Sequence, residues 1–309
     1  MAKIVGIGAN VCDTLYLIDK YPDEDTKFCA ESIAVRGGGP CATGLVAASK
    51  LGEKCAFLGN LTDDNAGKFL KEDFEKFGVS TEFISVKNGY TSFNSCIWLS
   101  KENATRTCVF NRGSVPKLVL LEEQKEAIKN AEILMVDGND LEAAAEGAKL
   151  ARENGCKVLY DAGGMYCGVE KLLALTDILI PSEEFALGHT GEKTAEDAAK
   201  KLKKMYNPEV VVVTRGKNGG IIYDGKEIKS YKAFEVEAKD TNGAGDVFHG
   251  AFAFSLTKGY DFYKASVFSS AVSALKCKGI GARESVPNFD ETIKFLKERG
   301  IDEFKENMD

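Results

Sequence analysis

From about residue 120 the chain alternates short, wholly apolar runs with helical stretches, and this rhythm restricts the fold more than any other feature. Ile133–Val136 precedes an Ala-rich stretch over 141–153; Lys157 to Tyr160 and Asp177 to Ile180 follow, then a helical stretch over 194–205 and Val210 to Val213. Strands that are apolar throughout are buried on both faces, and strand–helix–strand units lay them side by side in one direction. The expected fold is therefore α/β, a central, mostly parallel sheet with helices on both faces. The first third reads differently. Residues 14–18, 28–35, 92–99 and 105–110 are short and rich in β-branched, aromatic or Cys residues, with Phe93, Ile97 and Leu99 on one face of their strand and Asn94 and Ser100 on the other. They predict a small separate sheet, a β lid formed by about 12–36 and 90–112, on a single domain spanning 1–309. Two helices are expected between them. One is a small-residue helix from Pro40 to Leu51; the other is introduced by Asp63 and Asp64, with Leu70, Phe74 and Phe77 at i, i+4 and i+7.

Composition removes several function classes. The net charge of -7, with no long basic block, argues against a nucleic-acid partner. No apolar run approaches the roughly 20 residues that cross a bilayer, so no membrane association is expected. The 9 cysteines are scattered and never form Cys-x-x-Cys, which reads as reduced thiols of a cytoplasmic protein. With only 2 histidines, a His-based metal centre or a serine-type triad is improbable.

The chemistry concentrates in Asp240-Thr241-Asn242-Gly243-Ala244-Gly245-Asp246, which runs into the apolar stretch VFHGAFAFSL. Gly243 and Gly245 allow a tight turn at the head of a buried helix, where free N–H groups and the helix dipole attract an anion. Asp246 sets a carboxylate beside that anion. Such a neighbour is unfavourable unless it takes a proton from a group attacking a phosphate. A simple N-cap is the alternative.

Four further segments carry candidates. Arg36-Gly37-Gly38-Gly39-Pro40-Cys41-Ala42-Thr43 offers flat backbone, N–H donors and the Thr43 hydroxyl to a small polar ligand, or is merely a tight turn. Asp13, at the end of the first strand region, can accept bonds from sugar hydroxyls or be a solvated turn residue. Gly6-Ile7-Gly8 lacks the third glycine of a dinucleotide fingerprint and reads as a plain strand end. Thr214-Arg215-Gly216-Lys217-Asn218-Gly219-Gly220 suits a nucleotide phosphate or ribose, although alone it reads as a hairpin turn. Pro181-Ser182-Glu183-Glu184 can hold the waters of a magnesium ion or compensate a helix dipole.

Taken in order along nearly the whole chain, GGGPCAT, the Thr-x-Gly loop at 214 and DTNGAGD followed by VFHGA resemble the ribokinase-like (PfkB) carbohydrate kinases. Together with ALKCKGIGAR, these segments look closest to the ketohexokinase and sulfofructose kinase-like branch. The resemblance implies an ATP-dependent kinase that transfers the γ-phosphate to a sugar hydroxyl. Asp246 would be the general base, and the N–H groups of Gly243, Ala244 and Gly245 the anion hole. Asp13, Gly38, Gly39 and Thr43 would face the sugar, and Lys27 an anionic group on it. Thr214, Gly216, Asn242, Gly243, Gly245 and Cys277 to Gly281 would border the nucleotide. ATP and Mg2+ are the implied cofactors, with a monovalent cation such as K+ as a further candidate. The family's Asn-x-x-Glu reads Ser182-Glu183-Glu184-Phe185 here, so the acid is displaced; Glu183 and Asp240 are the metal candidates. The segment from Val136 to Asp140 lacks an Arg expected for sulfonate recognition.

Lys27, Arg36, Arg106 and Arg112 lie in or near the lid and lean toward an anionic ketose, with Arg106 itself read as solvated surface. Two other functions are weighed. A nucleoside kinase would use an aromatic slot from Tyr16, Phe28, Phe93 and Trp98; a non-catalytic sugar-binding regulatory protein would use the same fold. An apolar lid face containing Ile33, Val35, Phe93, Ile97 or Leu99 predicts a homodimer through the lid.

Overall fold

The computed structural model describes residues 1–103, 105–164 and 167–304. A nine-stranded sheet runs through its centre. From one edge the strands are Ile228–Tyr231, Gly220–Tyr223, Val210–Thr214, Ile178–Pro181, Lys157–Ala162, Ile133–Val136, Ile4–Ile7, Cys55–Phe57 and Val79–Ser80. Neighbours from Val210–Thr214 to Val79–Ser80 are parallel, and the two strands beyond Val210–Thr214 turn back antiparallel. The absence of polar alternation has its cause here, because every side chain of Ile4–Ile7, Ile133–Val136 and Ile178–Pro181 is buried. Successive residues feed two cores. Ile133 and Met135 pack with the helices Pro40–Lys50, Ala244–Thr257 and Phe262–Lys276, whereas Leu134 and Val136 pack with Leu141–Glu153 on the other face. No helix among the described residues is long and apolar enough to cross a membrane.

The second sheet has the order Ser32–Gly38, Val11–Ile18, Asn94–Ser100, Thr105–Asn111. It covers the expected segments with shifted bounds: residues 28–31 and 92–93 are not strand, and the second segment runs on through Gly38. Gly37 and Gly38 pair with Cys12 and Val11. Only Gly39, at φ +93°, makes the turn into the helix.

Parallel strands carry their ligand groups at their carboxyl ends, and two helices cross there to bring the candidate loops together. Pro40–Lys50 and Ala244–Thr257 touch backbone to backbone: a Cβ on Gly250 would lie 2.0 Å from the Gly44 carbonyl oxygen. This contact sets the two glycine-preceded helix starts side by side.

Candidate active site

The helix Ala244–Thr257 begins after Gly243, which holds φ at 75°. Among the described residues no hydrogen bond takes the N–H groups of Gly243, Gly245 or Asp246. The Ala244 N–H, expected as a donor of the anion hole, instead donates to the Thr241 carbonyl at 3.2 Å. The open donors are therefore Gly243, Gly245 and Asp246. A Cβ on Gly245 would meet no protein atom within 4 Å, so its face borders open space large enough to receive a ligand.

Asp246 sits in the first turn of that helix, half-buried. Burial raises its carboxyl above the ordinary carboxylate range, and the positive groups of His249, Arg106, Lys276 and Arg283 pull it back. One turn on, His249 Nδ1 lies 2.6 Å from the Gly245 carbonyl oxygen and 3.2 Å from Asp161 Oδ2, while Nε2 lies 3.0 Å from the Ile180 carbonyl oxygen. The ring thus has an oxygen atom facing each of its nitrogens. It ties the helix head to the strand end Ile178–Pro181. Burial pushes Asp161 up to about 7 against the pull of His249, with Asp246 and Asp137 adding like-charge repulsion.

At the neighbouring helix start the glycines serve another purpose. Asp13 is buried on the inner face of the small sheet and accepts from Ser95 Oγ at 2.6 Å. A Cβ on Gly38 would lie 1.9 Å from Asp13 Oδ2, and one on Gly37 would lie 2.2 Å from both Arg283 Nη1 and Asp73 Oδ2. Burial pushes the Asp13 carboxyl up to about 6, with Ser95 and Arg283 opposing and Asp246 reinforcing. Arg283 is fully buried; it holds Asp73 at 2.6 Å, Asn10 Oδ1 at 3.0 Å and the Gly38 carbonyl oxygen at 2.5 Å. Thr43, expected to face the sugar, is fully buried, with its hydroxyl oxygen 3.4 Å from Arg283 Nε. Asn10 Nδ2 is buried with no hydrogen-bond partner among the described residues, a polar atom left for a ligand.

The first amides of the helix that follows this glycine cluster are not free. Asp137, at the end of Ile133–Val136, accepts from the Cys41 N–H at 3.1 Å and the Ala9 N–H at 2.8 Å. The Ala42 N–H goes to the Ala9 carbonyl at 3.3 Å. Gly8, at the plain strand end, is small for the same reason: its Cβ would stand 2.5 Å from Asp137.

A cavity of about 630 Å³ opens beside the Gly245 face. Of the residues expected at a nucleotide, Thr214, Gly216, Gly245 and Cys277 line it, whereas Asn242, Gly243 and Gly281 are not on its wall. The Thr214 loop is also the antiparallel hairpin that its Asn-Gly suggested, joining Val210–Thr214 to Gly220–Tyr223. The cavity's apolar side comes from Phe234, Val236, Ala238 and Ala274. The irregular segment 232–238 carries no motif, so no sequence signal marked it.

Strand register sorts the small sheet's residues. Asp13 lies in a row with Arg36, Ser95 and Phe110; two rows along the same face come Ser32, Leu17, Leu99 and Arg106. Arg106, expected as solvated surface, is exposed, yet its guanidinium lowers the carboxyl values of both Asp13 and Asp246. Arg36 is matched by Glu284 at 3.1 Å. Arg112 donates to Asn139 and lies over the Phe93 ring at 5.6 Å; Lys27 is exposed on the connection between Val11–Ile18 and Ser32–Gly38. The aromatic slot is not assembled. Tyr16 and Trp98 share a row on the opposite face from Asp13, and Phe28 is 42% exposed. Nor do the five apolar residues share a face: Ile33 and Val35 are on the outside, whereas Ile97 lies on the inner face and is buried.

Residues 1–288 match the family model described as pfkB family carbohydrate kinase. The chain belongs to the PfkB family of carbohydrate kinases. It is 27% identical over 297 residues to a ribokinase of Haemophilus influenzae, covering 94% of this chain and 97% of that one. It is 27% identical over 286 residues to a 5-dehydro-2-deoxygluconokinase of Clostridium perfringens, covering 84% and 83%. The fold superimposes on an Arabidopsis thaliana ribokinase solved with ribose and ATP, at a TM-score of 0.85 and 24% identity over 96% of this chain and 99% of that one. The fold is ribokinase-like, and the protein is a phosphotransferase with an alcohol group as acceptor.

Both acids expected at a metal have protein partners. Glu183, at the first position of the helix Glu183–Thr190, is held by Arg215 Nε at 2.8 Å. Asp240 accepts from the Asn242 N–H at 2.8 Å through Oδ1 and from the Gly281 N–H at 2.9 Å through Oδ2. Among the described residues no group of three or more His, Cys, Asp or Glu is arranged to hold a metal ion. Mg2+ commonly keeps several waters and binds chiefly through substrate phosphates, so it does not require such a group.

Proposed function

We propose that this PfkB kinase transfers the γ-phosphate of ATP to a hydroxyl of a small ketose that carries an anionic group at its far end. One observation carries the phosphoryl-transfer reading: open amides at the helix head, fronting empty space at Gly245, stand beside the Asp246 carboxylate. Those amides offer fixed donors where charge builds on the moving phosphoryl group. The acceptor oxygen attacks the γ-phosphorus, the bond to the β-phosphate oxygen breaks, and Asp246 takes the hydroxyl proton. Burial makes Asp246 a stronger base than a solvated carboxylate. Mg2+ would arrive with the ATP phosphates and neutralise them, and no step here depends on a protein ligand to it.

Asp13 and Asn10 Nδ2 present an acceptor and a donor for sugar hydroxyls. Arg106 supports an anionic acceptor, because two rows along a strand span about 13 Å, a length suited to a substrate with its reacting and charged ends apart. The small sheet would then act as a lid that excludes water from the acceptor's place. Its outer face leaves Ile33 61%, Val109 67% and Trp98 38% exposed, which supports a homodimer through the lid. Nine free thiols support a cytoplasmic setting.

The test is acceptor-dependent ADP release over neutral ketoses, aldoses, phosphosugars, sulfosugars and nucleosides. An anionic ketose should show the highest kcat/KM, and Arg106→Ala should raise its KM while sparing neutral ketoses. A preference for nucleosides, or no acceptor-dependent release at all, counts against the proposal.

A further inference from the structure

The ammonium of Lys276 is fully buried, although a lysine is almost never buried without partners. It ends the helix Phe262–Lys276 and reaches up to the segment that precedes the phosphate loop. Nζ donates to the Asp240 carbonyl oxygen at 2.9 Å and to the Asn242 carbonyl oxygen, and stands 3.8 Å from Asp240 Oδ2. Asp240 in turn holds the N–H groups of Asn242 and Gly281. One positive charge and one carboxylate therefore knot three stretches of chain immediately before Gly243. Main-chain carbonyls and a carboxylate are hard oxygen donors, the set that binds a bare alkali cation as readily as an ammonium. Burial lowers the Lys276 pKa, and the Asp240 carboxylate opposes that. The amine is buried, and its acceptors belong to the backbone that leads into the open amides.

We propose that Lys276 is a positioning residue, a built-in cation whose ammonium fixes the phosphate loop and frees the kinase from any need for a dissolved monovalent cation. The inference rests on the kinase reading above for its catalytic consequence, and on the Lys276–Asp240 geometry alone for its structural one. The ion's charge acts on the loop backbone. Removing it leaves two carbonyls turned inward with no donor, so the loop must rearrange before it can receive the phosphate.

The experiment uses the full chain, with the best acceptor found, at constant ionic strength in potassium, ammonium or choline chloride. The wild-type rate should be the same in all three. Lys276→Ala in choline should lose about tenfold or more in kcat, equivalent to about 1.4 kcal/mol in the barrier, with acceptor KM little changed; ammonium or potassium should restore most of it, since either ion fits the vacated space. Potassium-stimulated wild-type turnover overturns the proposal, as does a variant with undiminished kcat in choline. Lys276→Met separates the role from simple core filling: it fills the volume without charge, and its kcat should stay low in every salt. A second readout needs no acceptor. The melting shift of Lys276→Ala on adding a non-hydrolysable ATP analogue should be small in choline and restored by ammonium; a shift equal to wild type without ammonium rejects the clamp. Absence of turnover in the wild type speaks against the kinase reading instead, and leaves that melting comparison to decide the clamp.

Discussion

Two helices of this kinase start after glycines, lie side by side and do opposite things with their first amides. At Pro40–Lys50 the Cys41 N–H is capped by the Asp137 carboxylate and the Ala42 N–H by the Ala9 carbonyl. At Ala244–Thr257 the Gly245 and Asp246 N–H groups have no partner among the described residues. The first start is closed from within, and its glycines exist to let Arg283 and Asp13 approach the backbone. The second is open, and at Gly245 the missing Cβ would touch nothing in the protein. Gly37 and Gly38 are thus required by packing, whereas no protein neighbour requires a glycine at 245.

This contrast can be broken at either end. The largest effect is expected at the open start: Asp246→Asn should lower kcat by about 10²–10⁴-fold with acceptor KM nearly unchanged, checked by steady-state kinetics on a protein whose melting profile is native. At the closed start the damage should fall on the fold. Arg283→Met leaves the buried Asp73 carboxylate and the Gly38 carbonyl without their donor, and should cost about 3–5 kcal/mol in urea unfolding. A cost under about 1 kcal/mol there, within the range of an exposed ion pair, would show that the buried fork is dispensable.

Asp13 should behave in the opposite sense. Its folded-state value of about 6 lies above its unfolded one, so its charged form costs stability above pH 6, and the cost fades as the pH falls through 6. Asp13→Asn should then stabilise the protein at pH 8 by roughly 3 kcal/mol and lose the advantage at low pH, while acceptor binding weakens. In the wild type, kcat/KM should rise with pH through about 6 as Asp13 ionises; a flat profile across that range removes Asp13 from acceptor recognition. The smallest effect, and the sharpest for the comparison, is Gly245→Ala. Stability should rise by about 0.5–1 kcal/mol, since alanine is the better helix residue, while the KM for ATP increases. Unchanged ATP kinetics would mean that no phosphate visits that face.

The apolar strands were legible because burial on both faces leaves no room for polar alternation, and the helices at 40 and 195 began where a proline or a capping threonine stood. Asp246 and Asp13 were legible as acids set beside glycines. Arg283, Lys276 and His249 were not, since a single Arg or Lys in a sequence reads as surface and nothing local says that its partners lie 34 to 273 residues away. Asp137 and Asp161 were within reach: each is an acid at the carboxyl end of an apolar run, where a parallel sheet gathers its ligand groups. The wall segment 232–238 offered no signal because its contribution to the cavity is shape alone.

The order of elements, the layered α/β plan and the glycine–aspartate loop followed from the sequence, because each depends on residues close along the chain: side-chain periodicity, backbone freedom, helix capping. Which amides stayed open, which charges were buried and which face of the small sheet looks inward were decided only by the tertiary structure. Those outcomes depend on whether a distant carboxylate or carbonyl reaches a given N–H before solvent or a ligand does, and on strand register, where a shift of one residue would turn Arg106 away from Asp13.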